Sequence, residues 1–353
     1  MADMESRSWG VTIHDVAREA GVAPSTVSRA LAGAPRVSDT TRARITQIAS
    51  ELGYRPSRSA QALRSSRTRT LGVMFPSLEN PITIEQLSVT VREAYLLGYS
   101  VFITDAQESK EIQAAQIARM VEHRVDGVIL GRGLFWVDAS LRELLESDIP
   151  VEGSPLAPQA DSDNSDRWDT AFPELIEGEF PAAVAAGRCL LRHGHRRVAL
   201  VGRMPEPTRV GQRRLKSFQH AFREAGEDVG LITRIGVDEP EECVVEMQRL
   251  LAPSDRPTAV VCSSGLLTPH TLEGILSAGL SVPDDVSFVT FGDSPWHRAY
   301  APSISTIRQD YATSARSGVQ RIVARIEGTP LPEVIPNPAE FVRRGSIGPA
   351  TSH

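Results

Sequence analysis

The sequence predicts a two-part chain, a small all-α head followed by an α/β body of two similar lobes with a ligand cleft between them. Three observations carry this. Apolar residues recur at helical spacing through residues 11–56, broken by Gly and Pro. A Ser- and Arg-rich stretch follows. From Leu71 onward short apolar runs alternate with amphipathic stretches, the pattern of βαβ units and parallel sheets.

The elements follow in order. Residues 1–10 are polar and mixed in charge, a flexible tail without the apolar stretch of a secretory signal. Thr12-Ile13-His14-Asp15 is a capping-box start, with Thr12 as cap and Asp15 reaching back. Ile13, Val16, Ala17 and Ala20 form an apolar face, and Gly21 ends the helix as a left-handed cap. After Val22, Pro24 stands where a second helix starts, because its missing N–H costs nothing there. Val27, Ala30 and Leu31 are the inner face of that helix, and Gly33 and Pro35 break it. Ser38 caps a third, in which Ile45, Ile48, Ala49 and Leu52 face inward until Gly53 and Pro56 stop it. Helix, Gly-Val turn and helix in this compass match the helix-turn-helix plan. A small helical bundle without a DNA role has the same pattern.

Residues 57–70 contain only Ala60, Ala62 and Leu63 as apolar side chains apart from their flanks, and read as a linker that is disordered or marginally helical when free. Strands are predicted at Leu71–Phe75, Ser100–Thr104, Gly127–Leu130, Val198–Val201, Ala259–Cys262 and Val286–Phe291. Helices fall between them, as at Ile112–His123 and Leu272–Ala278. The body is assigned to residues 71–345 and a C-terminal tail to 346–353.

The net charge of -6 hides an asymmetry. Residues 1–70 hold 11 Arg and no Lys and sum to +5, while the rest sums to -11. A basic head on an acidic body suits an anionic partner, although a solvated charged surface reads the same way. No run of 18 apolar residues predicts a membrane span. Cys189, Cys243 and Cys262 are scattered and odd in number, which suits buried thiols in a reduced cytoplasmic protein.

Enzyme signatures are weak. No G-x-S-x-G appears, and Gly131-Arg132-Gly133 lacks the third glycine of a dinucleotide loop. His193-Gly194-His195 lacks a third ligand and is followed by Arg196 and Arg197, whose charges repel a metal ion. No catalytic residue, metal or cofactor is expected.

Residues 11–70 closely resemble the head and hinge of the lactose-repressor (LacI) family, through TIHDVAREAGVAPSTVSRALAG, VSDTTRARITQIASELGYRPS and SAQALRSS. The likeness continues through RVDGVIL, LLRHGHRRVALVG, RRLKSF, RPTAVVC, GLSVPDDVSFVTFGD, PSISTI and FVRRGS, in the family's order. It implies a helix-turn-helix head plus a periplasmic-binding-protein-like core of two Rossmann-like lobes joined by three crossovers. The implied function is a DNA-binding transcription regulator, a repressor controlled by a small molecule.

The resemblance places the second helix in the major groove of a pseudo-palindromic operator, bound by a homodimer without a tetramer-forming tail. Thr12, Pro24, Ser25, Thr26, Ser28 and Arg29 then meet DNA. Pro24 has only apolar contact to offer, so Ser25 and Arg29 carry most polar readout, and Thr26 supports phosphate contacts. Ala23 replaces the family's serine cap, at a cost of about 1 kcal/mol partly offset by Pro24. In the hinge, Leu63 matches the leucine that wedges into the minor groove, with Ala60 beside it and Arg58 and Arg64 at phosphates.

Ligands of such lobes bind at the carboxyl ends of strands. Ser77, Asn80, Asp105, Arg132, Arg203, Ser264, Asp293 and Trp296 stand there, and Arg214 matches the family's effector-binding arginine. Its guanidinium forks onto hydroxyls or a carboxylate, or else forms a surface ion pair. Several positions depart from the family pattern. Gly292 stands where an acidic residue is usual, leaving Asp293 one place late, and Ser264-Gly265 replaces Asn-Asp. Asn80-Pro81-Ile82-Thr83 has no aromatic to sandwich a purine, so a sugar or sugar derivative is the expected effector. Trp296 stacks on a sugar face or packs within the lobe. Residues 165–185 match poorly, and whether the ligand releases or recruits DNA binding stays open.

Overall fold

The computed structural model describes residues 11–31, 37–54, 67–107, 109–134, 138–156, 178–203, 209–237, 239–333 and 337–351, with the side chains of Arg132 and Arg203 outside the description. The chain divides into two compact units, Met1–Thr68 and Arg69–His353.

The head is three helices: α1 (Ile13–Ala20), α2 (Pro24–Leu31) and α3 (Asp39–Glu51). The α1 capping box forms, with the Thr12 hydroxyl donating to Asp15 Oδ2 at 2.6 Å and the Thr12 N–H to the same oxygen at 2.9 Å. Gly21 takes the left-handed conformation, φ 63°, that lets its N–H and the next turn back onto the helix end. Val16, Ala17, Ala20, Val27, Ala30, Ile45 and Ala49 make one small core. Arg44 on α3 donates to the Ala20 carbonyl, satisfying an acceptor that the end of α1 leaves without a helical partner. Leu52, expected inside, caps α3 instead and is 36% exposed, because the helix ends one residue before it.

The body holds two sheets. The first lobe runs β1 (Thr70–Phe75), α4 (Pro81–Leu96), β2 (Ser100–Asp105), α5 (Lys110–Glu122), β3 (Gly127–Leu134), α6 (Ala139–Glu146) and β4 (Val151–Leu156). Its strands are all parallel, in the order β2-β1-β3-β4. The second runs α7 (Phe180–Arg192), β5 (Val198–Arg203), α8 (Arg209–Glu224), β6 (Ile232–Val237), α9 (Glu242–Leu251), β7 (Ala259–Cys262), α10 (Thr268–Ser277), β8 (Ser287–Phe291), α11 (Pro295–Ala299) and β9 (Ser305–Arg308). Its order is β10-β9-β8-β7-β5-β6, with β10 (Glu340–Val342) the antiparallel edge.

The helix between β9 and β10, α12 (Tyr311–Glu327), belongs to the first lobe. Its Val319, Ile322, Val323 and Ile326 pack with Leu71, Val73, Phe75 and Ile129. A side chain at Gly127 would collide with Ile322, so the glycine sets how closely α12 lies on β3. Arg321 and Arg325 of α12 both reach the buried Glu152 of β4, at 2.9 and 3.2 Å. The chain therefore passes between lobes three times: after β4, after β9 and after α12.

Residues 346–350 are not a tail. Ser346 and Ile347 are buried, and Ser346 bridges two strands by donating to the Phe288 carbonyl at 2.5 Å and accepting from the Ser305 N–H at 2.8 Å. The Gly348 carbonyl meets His195 Nε2 at 3.0 Å, while His195 Nδ1 meets the Thr258 hydroxyl at 2.9 Å. Both nitrogens of that ring are thus occupied, one of them by the C-terminal segment, and burial lowers its pKa.

Candidate nucleic-acid interface and effector cleft

The head presents α2 as a short helix with one buried side, Val27 and Ala30, and one exposed side carrying Ser25 and Arg29. Arg29 sits one turn after Ser25 and donates to its carbonyl at 3.1 Å and to its hydroxyl at 3.3 Å. Two polar side chains are thereby fixed side by side on the outer face, which lowers the ordering cost of a contact with base edges or phosphates. Pro24, Thr26 and Ser28 are half-buried beside them. Thr12 is engaged in its cap and is exposed. Arg58, Ala60, Leu63 and Arg64 lie outside the described residues.

In the body, the carboxyl ends of β7 and β8 converge on Arg214, which α8 supplies. Its Nε and Nη2 donate to Glu179 Oε2 and Oε1, both at 2.9 Å, and Nη1 donates to the Ser263 carbonyl. The guanidinium carbon lies 4.0 Å from the centre of the Phe291 ring, so the cation is also held on a π face. The side chains of Arg214 and Glu179 are 13% and 11% exposed. This largely buried guanidinium–carboxylate pair keeps a donor fork and an acceptor next to each other at the strand ends. Glu179 was not foreseen. It lies in the stretch without resemblance, and its only signal is an acid immediately before an Ala-rich helix.

The other expected effector contacts divide. Ser77 is buried and accepts from the Glu79 N–H at 3.1 Å, and Asn80 caps α4 by accepting from the Ile82 N–H at 3.2 Å. Asp105 ends the edge strand β2 and accepts from the Gln107 N–H at 2.9 Å. The Ser264 carbonyl accepts from Thr268 at 2.9 Å. Arg132 and Arg203 place their backbones on β3 and β5.

Asp293, expected at the ligand, is engaged within its own lobe. Both of its oxygens are taken by Arg344, at 2.8 and 2.6 Å, and its side chain is 5% exposed. Burial works against its charge, yet the hydrogen bonds from His297 and Arg344 prevail and hold its carboxyl far below the usual range. For Trp296 the second of the two expected readings, packing within the lobe, fits its position. It packs against the second-lobe core and lines a shallow apolar groove with Leu272, Leu276 and Tyr300, apart from the group around Arg214.

Ile82 enters the cleft from the first lobe. A Cβ at Gly265 would stand 3.0 Å from Ile82 Cδ1 and 2.9 Å from Asn80 Oδ1, and one at Gly292 would overlap Ile82 Cδ1. The two glycines that depart from the family pattern are thus places where the lobes touch. The three cysteines are free and buried, and burial lifts the Cys243 thiol to about 11. Among the described residues no group of three or more His, Cys, Asp or Glu could hold a metal ion, and no helix is long and apolar enough to cross a membrane.

Comparison with known proteins agrees with this architecture. Residues 12–57 match the model of bacterial regulatory proteins of the lacI family, and residues 188–347 that of the periplasmic binding protein-like domain. The HTH-type transcriptional repressor PurR of Erwinia tasmaniensis is 30% identical over 321 residues, 89% of this chain and 90% of that protein. The lac repressor dimer bound to operator and the anti-inducer ONPF superposes with a TM-score of 0.77 at 22% identity, covering 96% of this chain and 99% of that one. A complex of the regulator CelR with cellobiose does so at 0.63 and 24%, covering 95% and 99%. With a DNA-binding head, a two-lobe body and a relative of this similarity along nearly its whole length, the chain belongs to the lacI family of bacterial transcription regulators and is not an enzyme.

Proposed function

We propose that this chain is a cytoplasmic, operator-specific repressor that works as a homodimer and takes a neutral, hydroxyl-rich effector, a sugar or sugar derivative. The observation that carries the effector class is the Arg214–Glu179 pair. Paired, the two groups offer donors and acceptors side by side with little net charge, which suits neighbouring hydroxyls. An anionic ligand would have to separate them and leave a buried carboxylate without its cation. A planar purine finds no aromatic face at Ile82-Thr83, and the cellobiose complex of CelR belongs to the favoured ligand class.

On DNA, α2 reads the major groove through Ser25 and Arg29, Leu63 wedges the centre of the site, and Arg58 and Arg64 neutralise phosphates. The homodimer is supported by apolar side chains left in solvent on both lobes. Ile84, Val91 and Tyr95 lie along one face of α4, 56%, 39% and 78% exposed, and Leu276 borders the Trp296 groove at 46%.

The test is a titration of the full chain against DNA from its own gene neighbourhood and against a random duplex, across several salt concentrations, with and without a panel of neutral sugars and sugar acids. A site held at least about a thousandfold tighter than random DNA, with affinity changed by a neutral sugar, is the expected outcome. Equal binding to both duplexes would overturn the operator reading. A response to the acids alone would overturn the effector class.

A further inference from the structure

We infer that the chain latches its own lobes together through Ile82, which bridges the cleft from the first lobe to the second. Ile82 is in the first turn of α4, where Asn80 and Pro81 leave it little freedom: the proline fixes the backbone and the Asn80 side chain takes the Ile82 N–H. From there the side chain crosses to the second lobe. It belongs to the buried core of neither lobe. Its seat is made by two glycines on separate strand ends, Gly265 after β7 and Gly292 after β8.

The two positions differ in what they require. Gly292 has φ +90°, a conformation that needs glycine whatever its neighbours, so room for Ile82 is only one of its functions. Gly265 has no such backbone demand, and a side chain there is crowded first by Asn80 and Ile82. Two sockets without Cβ atoms, one on each adjacent strand end, around one branched apolar side chain make a knob-and-hole contact. At this wall the second lobe offers a ligand backbone only, so polar recognition falls to the Arg214–Glu179 pair.

Charge works against the latch at one point. Glu85, one turn beyond Ile82, has its carboxyl pushed up by burial and then by Asp310 and Asp293, with Arg298 opposing. Of the two, Asp293 stands on a second-lobe loop, and the Ile82 contact works against its repulsion of Glu85.

Hydrogen exchange on the full chain, without DNA or sugar, tests the latch apart from the regulator reading, and its failure would leave that reading standing. Ile82→Ala should raise exchange about tenfold in two stretches of the opposite lobe, residues 262–268 and 290–296, as well as in 80–86. Ile82→Val should give an intermediate rise. Gly265→Val should raise exchange in 80–86 from the other side, and joining it to Ile82→Ala should restore protection by filling the same space. Loss of local packing alone would loosen 80–86 and nothing across the cleft. Unchanged exchange in 262–268 and 290–296 in the Ile82 variants would overturn the proposal.

Discussion

The Asp293–Arg344 ion pair joins two segments of the second lobe that lie far apart in the chain. An acid just after a strand in an α/β sheet is a reasonable ligand contact, and Asp293 was expected to be one. Its two bonds to Arg344 come from a segment 51 residues later, a partner that no local pattern announces. The pair fixes the loop after β8 to the end of β10, and this gives a stability prediction. A carboxyl held below its ordinary pKa contributes stability that is complete above about pH 4 and is lost as pH falls toward the depressed value. Asp293→Asn should therefore lower stability by about 3 kcal/mol at pH 7, since it leaves Arg344 enclosed without its charge. The gap from wild type should shrink in urea melts taken at successively lower pH below 4. A gap independent of pH would mean that packing of the loop, and not the ion pair, is lost. Arg214 was legible from RRLKSF, whereas Glu179 was not, because the stretch that holds it carries no recognisable pattern.

Elements were legible in proportion to how local their causes are. The head helices begin and end at Thr12, Gly21, Pro24 and Ser38 because caps act within a few residues, and the structure places those boundaries accordingly. The central strands were legible from unbroken apolar runs. The strands that escaped notice are the short or polar ones: β4 contains Gly153, Ser154 and Pro155, β6 alternates with Thr233 and Arg234 at a sheet edge, β9 is four residues and β10 three. The return of α12 to the first lobe is decided by which apolar faces remain uncovered, and only the assembled sheets show that. For α2 the local reading yields a direct test. Arg29→Ala removes the polar group held against Ser25 on the exposed face and should weaken operator binding about tenfold to a hundredfold, with random DNA much less affected. A uniform loss on both duplexes, with a shallower salt dependence, would assign Arg29 to phosphate instead.

At the scale of the whole molecule the question is what covers the apolar surface that folding leaves open. Scattered exposed apolar residues need no explanation, but Ile84, Val91 and Tyr95 are spaced seven and four apart and share one face of α4, with Leu96 and Leu97 just beyond at 69% and 37%. Helix propensity does not ask for such a stripe, and a monomer would lose little by making it polar. A two-fold dimer covers the same stripe on both copies at once, and it also sets two heads at the fixed separation that a palindromic operator demands. Tyr95→Glu should then convert the dimer to monomer in sedimentation at micromolar concentration while leaving circular dichroism unchanged. Operator affinity should fall much more than the affinity of one head for a half-site, because the second head no longer binds at high effective concentration. If Tyr95→Glu sediments as wild type, the dimer is built elsewhere, and the Trp296–Tyr300 groove beside Leu276 is the face to change next, with Leu276→Glu expected to do what Tyr95→Glu did not.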